Sequence, residues 1–326
     1  MESSRARRSR RARPSRTRPL LYTVLATVAV VGGTAAGTVY VKARAHSGAG
    51  AVSSASPTDS PSADGEESVK PVKPVKPVAE PTVDHDARLA EAMKSVAVEG
   101  RAKVSAAVLD PDSGVSAVYG DGAFDTASIV KVDILATLLL QAQDADRRLT
   151  AAEKSYATKM IENSDNTAAS ALWDVIGQAG GLDAANKTFG LTGTQGGEGA
   201  LWGLTQTTAA DQLTLLQQVF GDDSKLSEAS RSYVRGLMGE IEADQQWGVS
   251  AAADGSRWAL KNGWLARSTT GLWDINSIGR VTVGGHAYLV AVLSKGNATQ
   301  AKGISLVESA AKAAVSVFAG DGSSVS

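Results

Sequence analysis

The sequence predicts an α+β domain over residues 84–320, with a mainly antiparallel sheet flanked by helices and a helical insert. Three observations support this class. Two short β-rich segments come first, a long helical region follows, and three more β-rich segments precede a terminal helix. Strands grouped apart from helices are typical of α+β domains, whereas strict alternation of strand and helix indicates a parallel sheet.

The domain is predicted to begin with a helix and a hairpin. Apolar residues recur at helical spacing over 84–98, where Asp84 or Asp86 is placed to cap the helix. Residues 103–109 and 115–119 are short β-rich runs. The Asp-Pro-Asp-Ser-Gly sequence between them is typical of a hairpin turn, so the two strands should pair.

Apolar patterns also predict the helices and strands in the rest of the domain. The predicted elements are a helix over 126–142, a predominantly helical region to about 239, strands over 258–264, 272–283 and 287–294, and an amphipathic helix over 303–318. Gly284-Gly285 marks the turn between the last two strands.

The N-terminal segment differs in composition from the domain. Residues 1–19 contain eight arginines and are expected to form a basic cytoplasmic tail. Residues 20–41 carry no charge and reach roughly 33 Å as a helix, enough to cross a bilayer core. Arginine-rich flanks stay in the cytoplasm, so we expect a single-pass transmembrane signal-anchor. Residues 42–83, rich in Ser, Ala, Pro and Lys, are an expected extracytoplasmic linker.

A cleaved signal peptide is the alternative for the apolar segment. Ala43-Arg44-Ala45 resembles a cleavage site, although the length of the apolar run favours an uncleaved anchor. Both interpretations place the domain outside the cytoplasm: it is tethered to the cell membrane under the first and secreted under the second.

The composition restricts the chemistry available to this chain. It has no cysteine and only three histidines, His46, His85 and His286, which are far apart in sequence. Disulfides and a thiol nucleophile are excluded, a histidine-based triad or metal site is nearly excluded, and we expect neither metal nor cofactor. Residues 84–326 hold 20 Lys and Arg against 28 Asp and Glu, which argues against nucleic acid as a partner.

The first motif is Ser128-Ile-Val-Lys131, at the start of a predicted helix. Asp125 or Thr126 is placed to cap that helix, so that Ser128 lies in its first turn, where unpaired N–H groups favour developing negative charge. A spacing of three brings Lys131 to the same face. A buried lysine can accept the serine proton where no histidine is available. The alternative is a helix cap followed by an exposed lysine.

Two further motifs follow in the chain. Ser164-Asp-Asn166 comes within the helical region and, taken alone, is an ordinary helix start. Lys261-Asn262-Gly263 lies inside an apolar run predicted to be a strand. A charged residue there is costly unless it has a partner, and the glycine predicts a close approach of backbone or ligand.

These three motifs, in this order, resemble those of the penicillin-binding protein and class A β-lactamase superfamily. The resemblance covers residues 84–319 and implies a β-lactamase/transpeptidase-like fold. It implies that Ser128 forms an acyl-enzyme and that Lys131 accepts its proton or takes part in the relay. Ser164 would pass a proton to the departing nitrogen, and Lys261 would hold the substrate carboxylate.

The resemblance also implies a set of substrate-binding positions. Asn166 would hydrogen-bond the amide of the substrate, and the Trp264 N–H would share the oxyanion hole with the N–H of the nucleophile. Asn262 stands beside Gly263 where the superfamily has Thr or Ser, which weakens one contact to the substrate carboxylate. Arg267 could grip that carboxylate, and the alternative is a solvated arginine in a hairpin.

One departure concerns the release of the acyl group. Class A enzymes activate the hydrolytic water with a glutamate in a Glu-x-x-Leu-Asn loop. Glu198-Gly-Ala-Leu-Trp202 falls at a comparable place but carries Trp where Asn is expected. Glu198 is therefore a candidate base, and the alternative is an exposed loop carboxylate.

The sequence leaves three functions open. The first is a membrane-tethered serine hydrolase that acts on a β-lactam or a related amide. The second keeps the nucleophile and acts on peptidoglycan stem peptides as a D,D-carboxypeptidase or transpeptidase. The third is a catalytically inactive wall-binding or sensory module. We expect a monomer whose partners are a small-molecule β-lactam or peptidoglycan peptide and, through the N-terminal helix, the membrane.

Overall fold

The computed structural model describes residues 83–255 and 257–319. Its strands are β1 (Lys103–Asp110), β2 (Val115–Tyr119), β3 (Phe124–Asp125), β4 (Gln206–Thr207), β5 (Trp258–Ala266), β6 (Trp273–Val283) and β7 (His286–Asn297). Its helices are α1 (His85–Met93), α2 (Val130–Asp144), α3 (Ala151–Glu162), α4 (Asn166–Val175), α5 (Gln178–Phe189), α6 (Ala209–Phe220), α7 (Glu228–Gly239) and α8 (Gln300–Ala319).

The main sheet has five strands in the order β2-β1-β7-β6-β5, and every neighbouring pair is antiparallel. Strands β3 and β4 form a separate two-stranded ribbon. The antiparallel α+β fold with a helical insert is therefore confirmed. Strand β5 is an edge of the sheet, so one row of its backbone groups is left unused by the sheet.

Helices cover both faces of this sheet. Alternate residues of β1 point to opposite faces: Ala106 and Val108 pack with α1 and α8, whereas Ala107 and Leu109 pack with the helical insert. Burial on both faces explains why the strands are nearly continuous apolar runs rather than alternating ones.

Helix α2 is the centre of the helical insert. Twelve of its 15 residues are buried, so it is apolar around almost its whole circumference. Lys131 and Asp133 are the charged members of this buried set. Both are carried at the start of the helix and must therefore find polar partners inside the protein.

Several predicted boundaries differ from the observed ones. Helix α1 has Asp84 as its N-cap, as expected, but ends at Met93 rather than at 98, because the chain turns there to bury Val96. The helix predicted from 126 begins at Val130 as α2, preceded by a 3₁₀ turn at Ala127–Ile129.

The predicted transmembrane anchor at 20–41 lies outside the described residues, as do the basic tail and all but the last residue of the linker. Within residues 83–255 and 257–319, no helix has both the length and the apolar character that crossing a bilayer requires.

The buried carboxyl of Asp133 gives the fold a pH dependence that can be measured. Its Oδ2 accepts a hydrogen bond of 3.0 Å from Asn186 Nδ2. Burial raises the pKa of Asp133 to about 7, and the charges of Asp183 and Asp211 act in the same direction. The folded chain therefore holds a proton that the unfolded chain releases near pH 4, and the free energy of unfolding falls as the pH rises between these values.

We expect Asp133→Asn to remove this dependence, because an amide does not titrate. The parent should lose stability from about pH 5 to about pH 8, and the variant should not. The free energy of unfolding of the variant minus that of the parent should therefore be at least about 1 kcal/mol larger at pH 8 than at pH 5. Urea unfolding at both pH values measures the difference. Asp144→Asn, at an exposed position of the same helix, is the control. An equal difference between variant and parent at both pH values would show that Asp133 titrates normally.

Candidate active site

The candidate nucleophile lies in a strained turn between β3 and α2. Ser128 is the central residue of the 3₁₀ turn, and Ala127 before it has a left-handed backbone with φ of 47°, a conformation that costs a non-glycine residue energy. Ser128 is 9% exposed, and among the described residues its hydroxyl has no hydrogen-bond partner. The hydroxyl is therefore available to a molecule that enters from solvent.

The expected capping of this turn is wrong. Neither end of the 3₁₀ turn nor the start of α2 has a side-chain cap. The Asp125 carboxylate instead accepts hydrogen bonds from Gln206 and Arg267, and Thr126 Oγ1 is buried with no partner in the described chain. The turn is held by the sheet and not by a local cap.

Strands β5 and β6 hold the turn from one side. A Cβ atom at Gly263 would lie 2.8 Å from the Ser128 nitrogen, so only glycine lets β5 pass so closely. This confirms the close approach predicted from the sequence. On β6, Asn276 Nδ2 donates to the carbonyl oxygens of Asp125 at 2.8 Å and Thr126 at 3.0 Å.

Lys131 is completely buried one helical turn after the serine. Its amine donates to the Ser164 carbonyl oxygen at 2.7 Å, to Asn166 Oδ1 at 2.8 Å and to Ser164 Oγ at 3.1 Å. Burial lowers the pKa of Lys131 to about 7, although the Asp165 carboxylate acts in the opposite direction. The interpretation of an exposed lysine is therefore wrong, and the amine can be neutral near physiological pH.

Lys261, on strand β5, also donates to the Ser164 hydroxyl. It lies two residues before Gly263, so the two share the face of β5 that meets the serine turn. Its amine donates to Ser164 Oγ at 3.1 Å and to the Asn262 carbonyl oxygen at 3.2 Å. Burial, together with the charge of Lys131, holds the pKa of Lys261 well below its usual value.

Ser164 thus bridges the two buried amines. It has a left-handed backbone with φ of 54°, and the next residue, Asp165, caps α4 by accepting from the Ala168 N–H at 2.6 Å. The strained conformation presents both the hydroxyl and the carbonyl of Ser164 to Lys131. The Ser-Asp-Asn motif is therefore a helix start, as its sequence indicates, and also part of a polar cluster.

Known proteins share both the sequence pattern and the fold of this chain. The sequence profile described as "Beta-lactamase enzyme family" matches residues 152–318, about half of the chain. The chain belongs to this beta-lactamase enzyme family. No match was found among curated protein sequences.

Several solved structures share the fold of this chain. A mutant of PBP-A in an acyl-enzyme complex with penicillin G has 19% identity and a TM-score of 0.62, over 72% of this chain and 97% of that one. TLA-1 extended-spectrum beta-lactamase has 15% identity and a TM-score of 0.62, over 72% and 98%. A class A beta-lactamase from Bacteroides cellulosilyticus DSM 14838 has 15% identity and a TM-score of 0.62, over 74% and 100%.

Two predicted substrate-binding residues of this family member lie on the other face of β5. The Asn262 amide donates to the carbonyl oxygens of Gln245 at 2.6 Å and Trp247 at 2.9 Å. The Trp264 ring packs against the Trp247 ring at 6.0 Å between centroids. Both side chains therefore make structural contacts within the protein, and the oxyanion role of the Trp264 N–H stays a prediction.

Arg267 does not join the polar cluster. Its guanidinium forms ion pairs with Asp125 and, at 3.9 Å, with Asp274. Burial and the charge of Asp125 raise the pKa of Asp274 to about 6. Arg267 thus connects β3 to the ends of β5 and β6. It is therefore not a freely solvated hairpin arginine, and its contact with a substrate carboxylate stays a prediction.

The structure does not bring Glu198 to the nucleophile either. The side chain is exposed, and its carboxylate has no hydrogen bond or ion pair with any described residue. The neighbouring Trp202 takes the inner position instead, with its ring centroid 5.0 Å from the Lys131 amine. The side chain that meets the buried lysine in this loop is therefore apolar.

Neither the role of Asn276 nor the contact between Trp202 and Lys131 was predicted from the sequence. A signal for the first was present, because an asparagine within the apolar run Trp-Asp-Ile-Asn-Ser-Ile has to be satisfied by a specific partner. The position of Trp202 had no such signal, since it depends on how the loop folds over α2 and α4.

The pKa of Lys131 predicts a pH dependence for the reactivity of Ser128. The amine can take the hydroxyl proton only when it is neutral, which requires a pH above its pKa of about 7. We expect the rate of Ser128 modification by a fluorophosphonate to rise through about pH 7 and level off above about pH 8. Time-resolved intact-mass measurements would give the profile. A rate that does not change over this range would contradict it, and Lys131→Arg should remove both the rise and most of the rate.

Asn276 is expected to be a positioning residue for the nucleophile. Asn276→Ala removes both donors to the serine turn, and a displaced serine should lower the rate of Ser128 modification about 10–100-fold. Asn297→Ala is a matched control, because that buried amide donates to the Trp273 carbonyl and Ser294 Oγ, away from the turn. Both variants should show a similar fall in melting temperature, and only the first should lose reactivity. Equal loss of reactivity would mean that Asn276 has only a structural role.

Proposed function

We propose that this chain is an extracytoplasmic serine hydrolase that forms an acyl-enzyme at Ser128 from β-lactams or related amides. The observation that carries the proposal is the Ser164 hydroxyl, which lies 3.1 Å from each of the Lys131 and Lys261 amines. Two lysines with lowered pKa values around one hydroxyl form a path for protons without histidine.

The proposed acylation moves one proton from Ser128 through Lys131 and Ser164 to the leaving group. Ser128 Oγ attacks the carbonyl carbon of the amide, and the neutral Lys131 amine takes the hydroxyl proton. The C–N bond then breaks, and the proton passes from Lys131 through the Ser164 hydroxyl to the leaving nitrogen. The backbone N–H groups of Ser128 and Trp264 are the proposed oxyanion donors.

Substrate recognition is proposed for Lys261 and Asn166. A substrate carboxylate would favour the ammonium form of Lys261, since a nearby opposite charge stabilises it. Asn166 Nδ2 donates to no described residue, so it is available to a substrate carbonyl, while its Oδ1 stays on Lys131.

A D,D-carboxypeptidase or transpeptidase acting on peptidoglycan stem peptides is the second candidate. It uses the same acylation step and is favoured by the exposed Glu198 carboxylate, which leaves water without an evident base. The expected anchor at 20–41 and the linker at 42–83 would hold either enzyme outside the cell membrane.

Penicillin and intact-mass spectrometry test the proposal. Wild-type protein should gain the mass of one penicillin, and Ser128→Ala should gain none, because the variant lacks the proposed nucleophile. Ser155→Ala, at an exposed position of α3, is the control and should label normally. Rapid loss of the adduct favours the hydrolase, and a lasting adduct favours the second candidate.

Labelling that persists in Ser128→Ala would refute the assignment of the nucleophile. A folded wild-type chain that takes up neither penicillin nor a D-alanyl-D-alanine thioester would favour the inactive binding module instead.

A further inference from the structure

Gln245 connects the Ser-Asp-Asn motif to strand β5. It ends a short 3₁₀ turn between α7 and β5, and its side chain is buried. Its amide nitrogen Nε2 donates to the Asn163 carbonyl oxygen at 3.2 Å. Its own carbonyl oxygen accepts from the Asn262 amide at 2.6 Å. Gln245 therefore contacts the residue before Ser164 and the residue after Lys261.

The Asn163 carbonyl belongs to the peptide group that leads into Ser164. A peptide group is planar, so a hydrogen bond that fixes its carbonyl also restricts φ of the next residue. Ser164 has a φ of 54°, a left-handed conformation that costs a non-glycine residue energy. The hydrogen bond from Gln245 therefore opposes the rotation of this peptide group that would relax Ser164.

Other hydrogen bonds hold the same segment without restraining this carbonyl. The N–H groups of Asn163 and Asp165 both donate to the Lys159 carbonyl, at 3.2 and 3.0 Å. The side-chain amide of Asn163 donates to the Glu242 carboxylate. Within the described part of the chain, Gln245 Nε2 is the one donor to the Asn163 carbonyl oxygen.

The conformation of Ser164 determines where its hydroxyl lies. Oγ is 3.1 Å from both the Lys131 and the Lys261 amines, and the Ser164 carbonyl accepts from Lys131 at 2.7 Å. In the proposed acylation the leaving nitrogen takes the Ser164 hydroxyl proton, and Ser164 takes a proton from Lys131. This transfer requires the hydroxyl within hydrogen-bond reach of both groups, so a rotation of Ser164 would interrupt it.

We propose that Gln245 is a positioning residue that holds Ser164 in its left-handed conformation and so keeps its hydroxyl in the proton path of acylation. Gln245 acts through the peptide group between Asn163 and Ser164 rather than on the substrate. This inference rests on the proposed function and names a residue on which its leaving-group step depends.

Gln245→Met tests this role, because methionine is also long and unbranched but has no N–H to donate. Penicillin acylation breaks a C–N bond and needs a proton on the leaving nitrogen, whereas a fluorophosphonate releases fluoride, which leaves without one. We expect the limiting rate at saturating penicillin to fall about tenfold or more, since general acid catalysis contributes about 10²–10⁴-fold. The rate with the fluorophosphonate should stay within about threefold of wild type, because the nucleophile and its base are kept. Time-resolved intact mass measures both rates.

The dependence of the rate on penicillin concentration separates Ser164 from Lys261. Lys261 is proposed to hold the substrate carboxylate, so a displaced Lys261 would raise the penicillin concentration that gives half the limiting rate. A displaced Ser164 should lower the limiting rate and leave that concentration within about threefold of wild type.

Gln246→Met is the matched control. Gln246 Nε2 donates to the Ile241 carbonyl at 3.1 Å, and both rates of this variant should equal those of wild type. Gln245→Asn is a second test variant, because it keeps a buried amide that is one methylene too short to reach the Asn163 carbonyl. It should give the same pattern as Gln245→Met, and melting temperatures show which variants are folded.

Equal losses with penicillin and the fluorophosphonate would mean that Gln245 only stabilises the fold, and they would overturn the inference. A raised half-saturating concentration with an unchanged limiting rate would also overturn it, because the effect would then lie at Lys261. Both results leave the proposed function standing, since the wild-type chain still forms an adduct. A folded wild-type chain that forms no penicillin adduct overturns the proposed function and with it the proton path through Ser164.

Discussion

The site depends on one costly arrangement, a lysine amine that has no exposed surface in an apolar helix. Lys131 is tolerated there because Ser164 and Asn166 present three oxygens to it and Trp202 covers the rest. Loss of water nevertheless favours the neutral amine, so the pKa falls to about 7. The amine can therefore be neutral near pH 7, as the proposed base has to be in a chain whose few histidines are far from the serine in sequence.

The sheet holds in place the groups that surround this lysine. Strand β5 brings Gly263 against the serine turn and Lys261 against Ser164, because residues two apart share one face of a strand. Asn276 on β6 holds the serine turn by donating hydrogen bonds to the carbonyl oxygens of Asp125 and Thr126. Left-handed Ala127 and Ser164 lie on the two sides of the cluster, where tertiary contacts hold these costly conformations.

Much of this could be predicted from the sequence because it is local. The apolar patterns indicated the order of strands and helices, and the three motifs indicated the Ser128, Lys131, Ser164 and Lys261 set that the fold brings together. Patterns of this kind depend on residues a few positions apart. The N-terminal anchor is a local prediction of the same kind, and it lies outside the described residues.

What the sequence by itself determined was which groups are available: a serine, two lysines in apolar segments, a Ser-Asp-Asn helix start and no suitable histidine. Only the tertiary structure decided which groups meet. The Asn262 amide donates to the carbonyl oxygens of Gln245 and Trp247. Arg267 forms ion pairs with Asp125 and Asp274. In the loop after α5, Trp202 rather than Glu198 contacts the Lys131 amine. These choices depend on partners many residues away, and the pairing of distant charges and rings follows from packing, which no local pattern records.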